Sequence, residues 1–120
     1  MSTLSVSNIT DGTTTVGTGY VVNGSAKAWV YEQSGTVLVE SFNISSIADN
    51  SLGNYSHNLT SAMVSQDGHI SMPVCRTSDD RNASVIINSA SQFTSYSRDI
   101  SASGALEDSY MLATTHGDLA

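Results

Sequence analysis

Apolar and polar residues alternate with a period of two over most of this chain. Leu4/Val6, Ala26/Ala28/Val30, Val37/Val39, Tyr55/His57/Leu59 and Tyr110/Leu112 each skip a polar or small neighbour, which is the spacing of strands with one buried face and not of helices. Residues 26–31 and 36–44 read as strands flanking Glu32-Gln33-Ser34-Gly35, a length and composition suited to a hairpin loop. Asp67-Gly68 is a stronger turn signal, because both central residues of a type I′ turn take positive φ and this pair tolerates it. It predicts a hairpin joining 62–66 to 69–76. Turn-forming clusters at 49–54, 78–82 and 101–104 separate further strand-length pieces near 83–89, 92–100 and 110–116. Residues 102–111 are the one place where a turn of helix is expected, and Gly104 and the serines weaken it.

Eight or nine short strands at this spacing predict an all-β fold, an antiparallel β-sandwich or jelly roll of about eight strands. The division expected is residues 1–18 as an N-terminal arm or docking strand and 19–120 as the sandwich domain. The first 18 residues hold one alternating piece and then Asp11-Gly12-Thr13-Thr14-Thr15-Val16-Gly17-Thr18, with few core positions. In an extended arm, Leu4, Val6 and Ile9 must bury against another subunit or a neighbouring sheet edge, a common mode of attachment by strand addition. The alternative is an ordinary first strand of the same sandwich.

Composition narrows the function. Charged residues make up 12% of the 120, about half the usual share, and Ser, Thr and Asn take the surface places of Lys and Glu. With 39% apolar residues in alternating patterns and a single proline, the chain is expected to pack a core and not to stay disordered. The net charge of −7, with Lys27, Arg76, Arg81 and Arg98 as the only cations besides histidine, argues against nucleic acid as a partner, since phosphate binding needs clustered basic residues. No apolar run is long enough to span a bilayer, and Met1-Ser2-Thr3-Leu4 lacks the basic and apolar regions of a secretory signal. Folding in a cytoplasm without membrane insertion is the expectation, and the lone Cys75 agrees with a reducing compartment. On the same ground, the Asn-x-Ser/Thr triplets at Asn8, Asn23, Asn43, Asn54, Asn58 and Asn82 read as a product of composition and not as glycosylation sites.

No chemistry-bearing motif emerges. A nucleophilic pair of Cys75 with His57 or His69 has no family signature around the cysteine. A zinc site from His57, His69 and Cys75 lacks the close paired spacing of zinc ligands. Asp79-Asp80 offers too few oxygens for calcium without a neighbouring chain and is explained by turn chemistry. Asp67, Asp99, Glu107, Asp108 and Asp118 form no recognisable acid pair, and neither a phosphate loop nor a nucleophile elbow is present. The expectation is a non-enzyme with no catalytic residue, metal or cofactor.

Trp29, the single tryptophan, shares a strand face with Lys27 and Tyr31, opposite Ala26, Ala28 and Val30. If the small face packs inward, Trp29 and Tyr31 form a subunit interface or a platform on which sugar rings stack. If the large face packs inward, Trp29 is the core tryptophan of the sandwich. The second is the expectation, because large aromatics are usually well buried.

The chain also resembles a group of small β-rich tail-fibre and appendage proteins of marine and cyanobacterial phages. The resemblance covers nearly its whole length and is carried by Thr3-Leu4-Ser5-Val6-Ser7-Asn8-Ile9-Thr10-Asp11-Gly12, Gly19-Tyr20-Val21-Val22-Asn23-Gly24-Ser25-Ala26-Lys27-Ala28-Trp29-Val30, Ser41-Phe42-Asn43-Ile44-Ser45-Ser46-Ile47-Ala48-Asp49-Asn50, Gly53-Asn54-Tyr55 and His116-Gly117-Asp118-Leu119-Ala120. It departs from the group's pattern at residues 31–35 and at Val39-Glu40. The resemblance implies a virion structural protein assembled in the host cytoplasm, a tail-fibre or tail-tip subunit held to other phage tail or capsid proteins and contacting the host surface. With the need to cover exposed sheet edges it implies a homotrimer, and the polar, weakly charged Ser/Thr/Asn-rich surface points to a host surface glycan as the contact. The runner-up is a capsid decoration or head-fibre protein. A secreted depolymerase is the third class, disfavoured by the small size and the missing acid pair.

Overall fold

A computed structural model describes residues 2–33, 37–76, 81–101 and 104–120. Among them are β1 (Asn8–Thr10), β2 (Thr15–Gly17), α1 (Thr18–Gly24), β3 (Ala28–Gln33), β4 (Val37–Phe42), β5 (Ile44–Ser51), β6 (Asn54–Leu59), β7 (Ile70–Cys75), β8 (Arg81–Ser89), β9 (Gln92–Asp99) and β10 (Met111–His116). Two four-stranded antiparallel sheets, ordered β4-β3-β10-β7 and β5-β6-β9-β8, face one another, while β1 and β2 pair only with each other. The fold is an all-β antiparallel sandwich with eight strands in its two sheets.

The period-two pattern decides what lies between the sheets. One sheet turns Ala28, Val30 and Glu32 of β3 and Met111, Ala113 and Thr115 of β10 inward; the other contributes Tyr55, His57 and Leu59 of β6 and Phe93, Ser95 and Ser97 of β9, all of them buried. Phe93 is central. The His57 ring stacks on it at 4.5 Å and 9°, and His69 meets it edge-on at 5.9 Å. Burying a ring of that size stabilises the fold by about 2–3 kcal/mol, and partly buried Ile44, Ile47, Val85 and Ile87 pack around the same cluster.

The expected hairpin of β3 with β4 is present, with Trp29 opposite Phe42 and Tyr31 opposite Glu40. Of its expected loop, Ser34 and Gly35 lie outside the described residues, while Glu32 and Gln33 belong to β3. The strand expected over 36–44 is cut at Asn43, whose φ of +58° turns the chain from one sheet into the other. Asparagine tolerates that left-handed conformation, and here its side chain also fixes the corner. Oδ1 accepts the Ser61 N–H at 2.7 Å, and Nδ2 donates to the carbonyls of Lys27 and Ser61, each at 3.1 Å.

The turn expected over 49–54 narrows to Leu52-Gly53, because β5 continues through Ser51. Gly53 has φ +60°, and a Cβ there would lie 2.6 Å from both the Glu107 nitrogen and the Ser97 oxygen. Only glycine fits. Its N–H donates to Asp108 Oδ1 at 2.7 Å and its carbonyl accepts from the Ser97 N–H at 2.9 Å, so the turn is clamped against β9 and the segment that leads into β10.

The Asp67-Gly68 hairpin does not form. Gly68 does not take positive φ, residues 62–66 are not a strand, and β7 pairs instead with β10. The local turn is closed by Ser65 Oγ, which accepts the Gly68 N–H at 3.1 Å, and by the His69 N–H donating to the Gln66 carbonyl at 3.2 Å. Met63 makes its bridge to Leu119.

The helix also lies elsewhere than expected. It spans Thr18–Gly24, whereas the described part of 102–111 is not helical and residues 102–103 lie outside the described set. Two glycines and two valines in seven residues give α1 poor intrinsic propensity. A local contact caps it: Lys27 Nζ donates to the carbonyls of Val22 and Ser25 and to Ser25 Oγ, satisfying carbonyls at the helix C-terminus with a positive charge. The clusters at 78–82 and 101–104 fall largely outside the described residues, as do Asp79 and Asp80.

Candidate interaction surfaces

The two outer faces of the sandwich are chemically opposite. On the β4-β3-β10-β7 sheet, the register lines up Phe42, Trp29, Thr114 and Met72 in one row and Glu40, Tyr31, Leu112 and Val74 in the next. Phe42 is 55% exposed, Met72 57% and Val74 56%, and Ile70 extends the patch beside His116. Four strands about 4.8 Å apart and six residues of about 3.3 Å give a face of roughly 400 Å² in projection, within the range of the largest apolar patches on monomers.

Trp29 is therefore not the core tryptophan. It is 38% exposed, while Ala28 and Val30 on the other side of the strand are buried. The cause is volume: Tyr55, His57 and Phe93 of the opposite sheet already fill the space between the layers, so β3 meets them with small side chains.

The outer face of β5-β6-β9-β8 carries an unbroken chain of neutral hydrogen bonds across all four strands. From Asn54 it passes through Asn50, Ser56, Thr94, Asn88, Gln92 and Asn58 to Ser46, each link between 2.8 and 3.1 Å. Every member is an amide or a hydroxyl. Seven of the chain's serines, threonines and asparagines are engaged here.

At one end of the apolar sheet face, Tyr31, Gln33, Arg76 and Tyr110 line a cleft of about 280 Å³. Arg76 follows β7, yet its guanidinium crosses the intervening strand β10 to lie 5.2 Å from the Tyr31 ring centroid, and its Nη1 donates to the Tyr31 hydroxyl. The Arg76 N–H donates to the Tyr110 carbonyl at 2.8 Å, which seats the cleft on the strand pair.

Leu4, Val6 and Ile9 stand clear of the sandwich, with Leu4 84% exposed. The segment is folded back and not extended: β1 and β2 form a hairpin whose turn is held by Asp11 Oδ1, accepting the N–H groups of Thr13 at 2.9 Å and Thr14 at 2.7 Å. Those two donors keep the Asp11 carboxyl below the usual carboxylate range. Thr18 ties down the segment before the hairpin, its hydroxyl donating to the Val6 carbonyl at 3.0 Å.

The residues weighed for catalysis are kept apart. The Cys75 thiol donates to Ser97 Oγ at 3.5 Å and lies 3.4 Å from Met111 Sδ. His69 engages Ser71 Oγ at 3.1 Å and the Ser89 carbonyl at 3.2 Å, and burial lowers its pKa while the Ser89 contact opposes that shift. His57 faces Glu32 at 3.2 Å inside the sandwich. Asp108 accepts from the Tyr55 hydroxyl at 2.6 Å as well as from Gly53, and Glu107 pairs with Arg81. Among the described residues no group of three or more His, Cys, Asp or Glu side chains is placed to hold a metal ion, and no helix is long and apolar enough to cross a membrane.

The turn composition of residues 32–35 puts Glu32 in a loop, and no pattern in the sequence marks Arg76 or Tyr110 as site residues. For Glu32 the signal was present, since it continues the inward phase of Ala28 and Val30. Compared with protein-family models, curated proteins and solved structures, the chain finds no match.

Proposed function

We propose that this chain is a non-enzymatic structural protein of a phage particle, a homotrimeric tail-fibre or tail-tip subunit that contacts the host surface. The observation that carries this reading is the apolar outer face built on Trp29, Phe42, Met72, Val74 and Leu112. A chain of net charge −7 repels its own copies, so self-association needs a contact patch nearly free of carboxylates. In the two rows of this face the one carboxylate is Glu40, on the edge strand β4. A second copy is thus the occupant that the face fits best. The resemblance to phage appendage proteins supports the trimer and the particle.

Attachment to the rest of the particle falls to the N-terminal hairpin, where Leu4, Val6 and Ile9 offer apolar side chains that the sandwich leaves uncovered. The opposite, hydrogen-bonded face stays in water. Host contact is assigned to the multimer, in which repeated weak sites act together.

Antibody labelling of intact virions tests this directly. Label on the tail is the expected result. Label over the head would replace the tail reading with capsid decoration, and particles that carry no label would overturn both.

A further inference from the structure

We propose that the cleft of Tyr31, Gln33, Arg76 and Tyr110 binds a carboxylate-bearing sugar residue of a surface polysaccharide, an inference that rests on the host-contact reading and names its ligand.

Among the described residues, Arg76 is oriented without being neutralised. Its recorded partners are the ring and hydroxyl of Tyr31, and among the described residues it forms no ion pair. The other cations are engaged differently: Lys27 and Arg98 donate to backbone carbonyls and Arg81 pairs with Glu107. A guanidinium has five N–H donors in a planar fork, and stacking over Tyr31 leaves an edge free for bidentate contact with a carboxylate. In an acidic chain, that edge is a local complement to an anion.

The rest of the cleft selects among anions. Tyr110 is 41% exposed and Tyr31 is partly exposed, giving aromatic surface on which the C–H face of a pyranose packs, with phenol hydroxyls and the Gln33 amide at hand for ring hydroxyls. A volume of about 280 Å³ lies just below the usual range for drug-sized ligands, roughly 300–1,000 Å³, and suits one ring. A bare anion would leave the rings unused. A neutral sugar would leave the guanidinium edge unused. A sugar acid engages both.

Tyr31 shares a row of the apolar face with Leu112 and Val74, so copies must meet over the Trp29 row and leave the Tyr31 end open at the rim, where a multimer engages a repeating polymer through several clefts.

The purified multimer is tested for binding to polygalacturonate, alginate and hyaluronate, with methyl-esterified polygalacturonate and dextran as uncharged counterparts. Binding to at least one acidic polymer is expected, with competition by the corresponding free sugar acid. Methyl esterification, Arg76→Gln and Tyr110→Ala should each weaken it at least about tenfold, and Arg76→Lys should not restore it because the planar fork is lost. Circular dichroism and sedimentation of each variant establish that fold and assembly are kept. Equal binding by Arg76→Gln, or binding to none of the acidic polymers, overturns the proposal. Whole-cell binding separates the two levels. If wild type and Arg76→Gln bind host cells equally, the ligand assignment fails alone; if wild type binds neither cells nor any polymer, the host-contact reading fails with it.

Discussion

His57 of β6 and Glu32 of β3 meet at 3.2 Å across the interior of the sandwich, both completely shielded from solvent. They link the two sheets through a polar contact between Nε2 and Oε2, and among the described residues Glu32 Oε1 and His57 Nδ1 have no hydrogen-bond partner. Desolvating two such groups is costly, and the contact between them offsets only part of that cost. Removing one partner strands the other. Glu32→Ala or His57→Ala is expected to lower stability by about 3–5 kcal/mol, while Glu32→Leu with His57→Phe should be more stable than either single change. Urea denaturation of the four proteins gives the comparison.

Gly53→Ala is expected to be among the most damaging single-methyl additions in the chain. The new Cβ would meet backbone atoms of Glu107 and Ser97 at 2.6 Å in a conformation, φ +60°, that alanine rarely adopts. Strain and overpacking together cost about 2–5 kcal/mol. Neighbouring Leu52, which is exposed, should accept alanine with little change, and the two thermal midpoints provide the test.

Acidification should weaken the fold through His69. Burial lowers its pKa in the folded chain, so between the folded and unfolded values the unfolded chain holds more protons. Stability is then fully present above the unfolded value, about 6.5, and is lost as pH falls from there through the lower folded value. His69→Gln should flatten that part of the stability curve. An unchanged pH dependence in the variant would show that the loss arises elsewhere.

If copies of the chain associate through the apolar outer face as proposed, Trp29→Ser combined with Met72→Ser should dissociate them. Aromatic anchors at the centre of an interface commonly contribute 2 kcal/mol or more, so the dissociation constant should rise at least about thirtyfold. Met72 is 57% exposed but Trp29 only 38%, so the double variant also loses some monomer stability, about 2–4 kcal/mol by the area it uncovers, and its fold must be checked first. Analytical ultracentrifugation across a concentration series distinguishes lost association from lost folding.

The sheet architecture was legible because alternation reports a half-buried strand directly, and residues 83–89, 92–100 and 110–116 each correspond to an observed strand. Alternation does not say which face points inward. That was settled for β3 by the bulk of Tyr55, His57 and Phe93, which come from strands far away in sequence. Breaks in the pattern were harder to see. Asn43 turns the chain by means of bonds to Lys27 and Ser61 that no local window contains. Asp67-Gly68 has the composition of a hairpin turn, but β7 found a better partner in β10. The cleft was invisible for the same reason: Tyr31, Arg76 and Tyr110 come together only because β10 inserts between β3 and β7.

The Asn54-to-Ser46 chain of amides and hydroxyls has a consequence for where such a protein can work. Dissolved ions screen charges over distances of about 10 Å at 0.1 M and about 3 Å at 1 M, but act little on short hydrogen bonds between neutral dipoles. A surface organised by neutral links across β5, β6, β9 and β8 therefore keeps the same shape in dilute water and in brine.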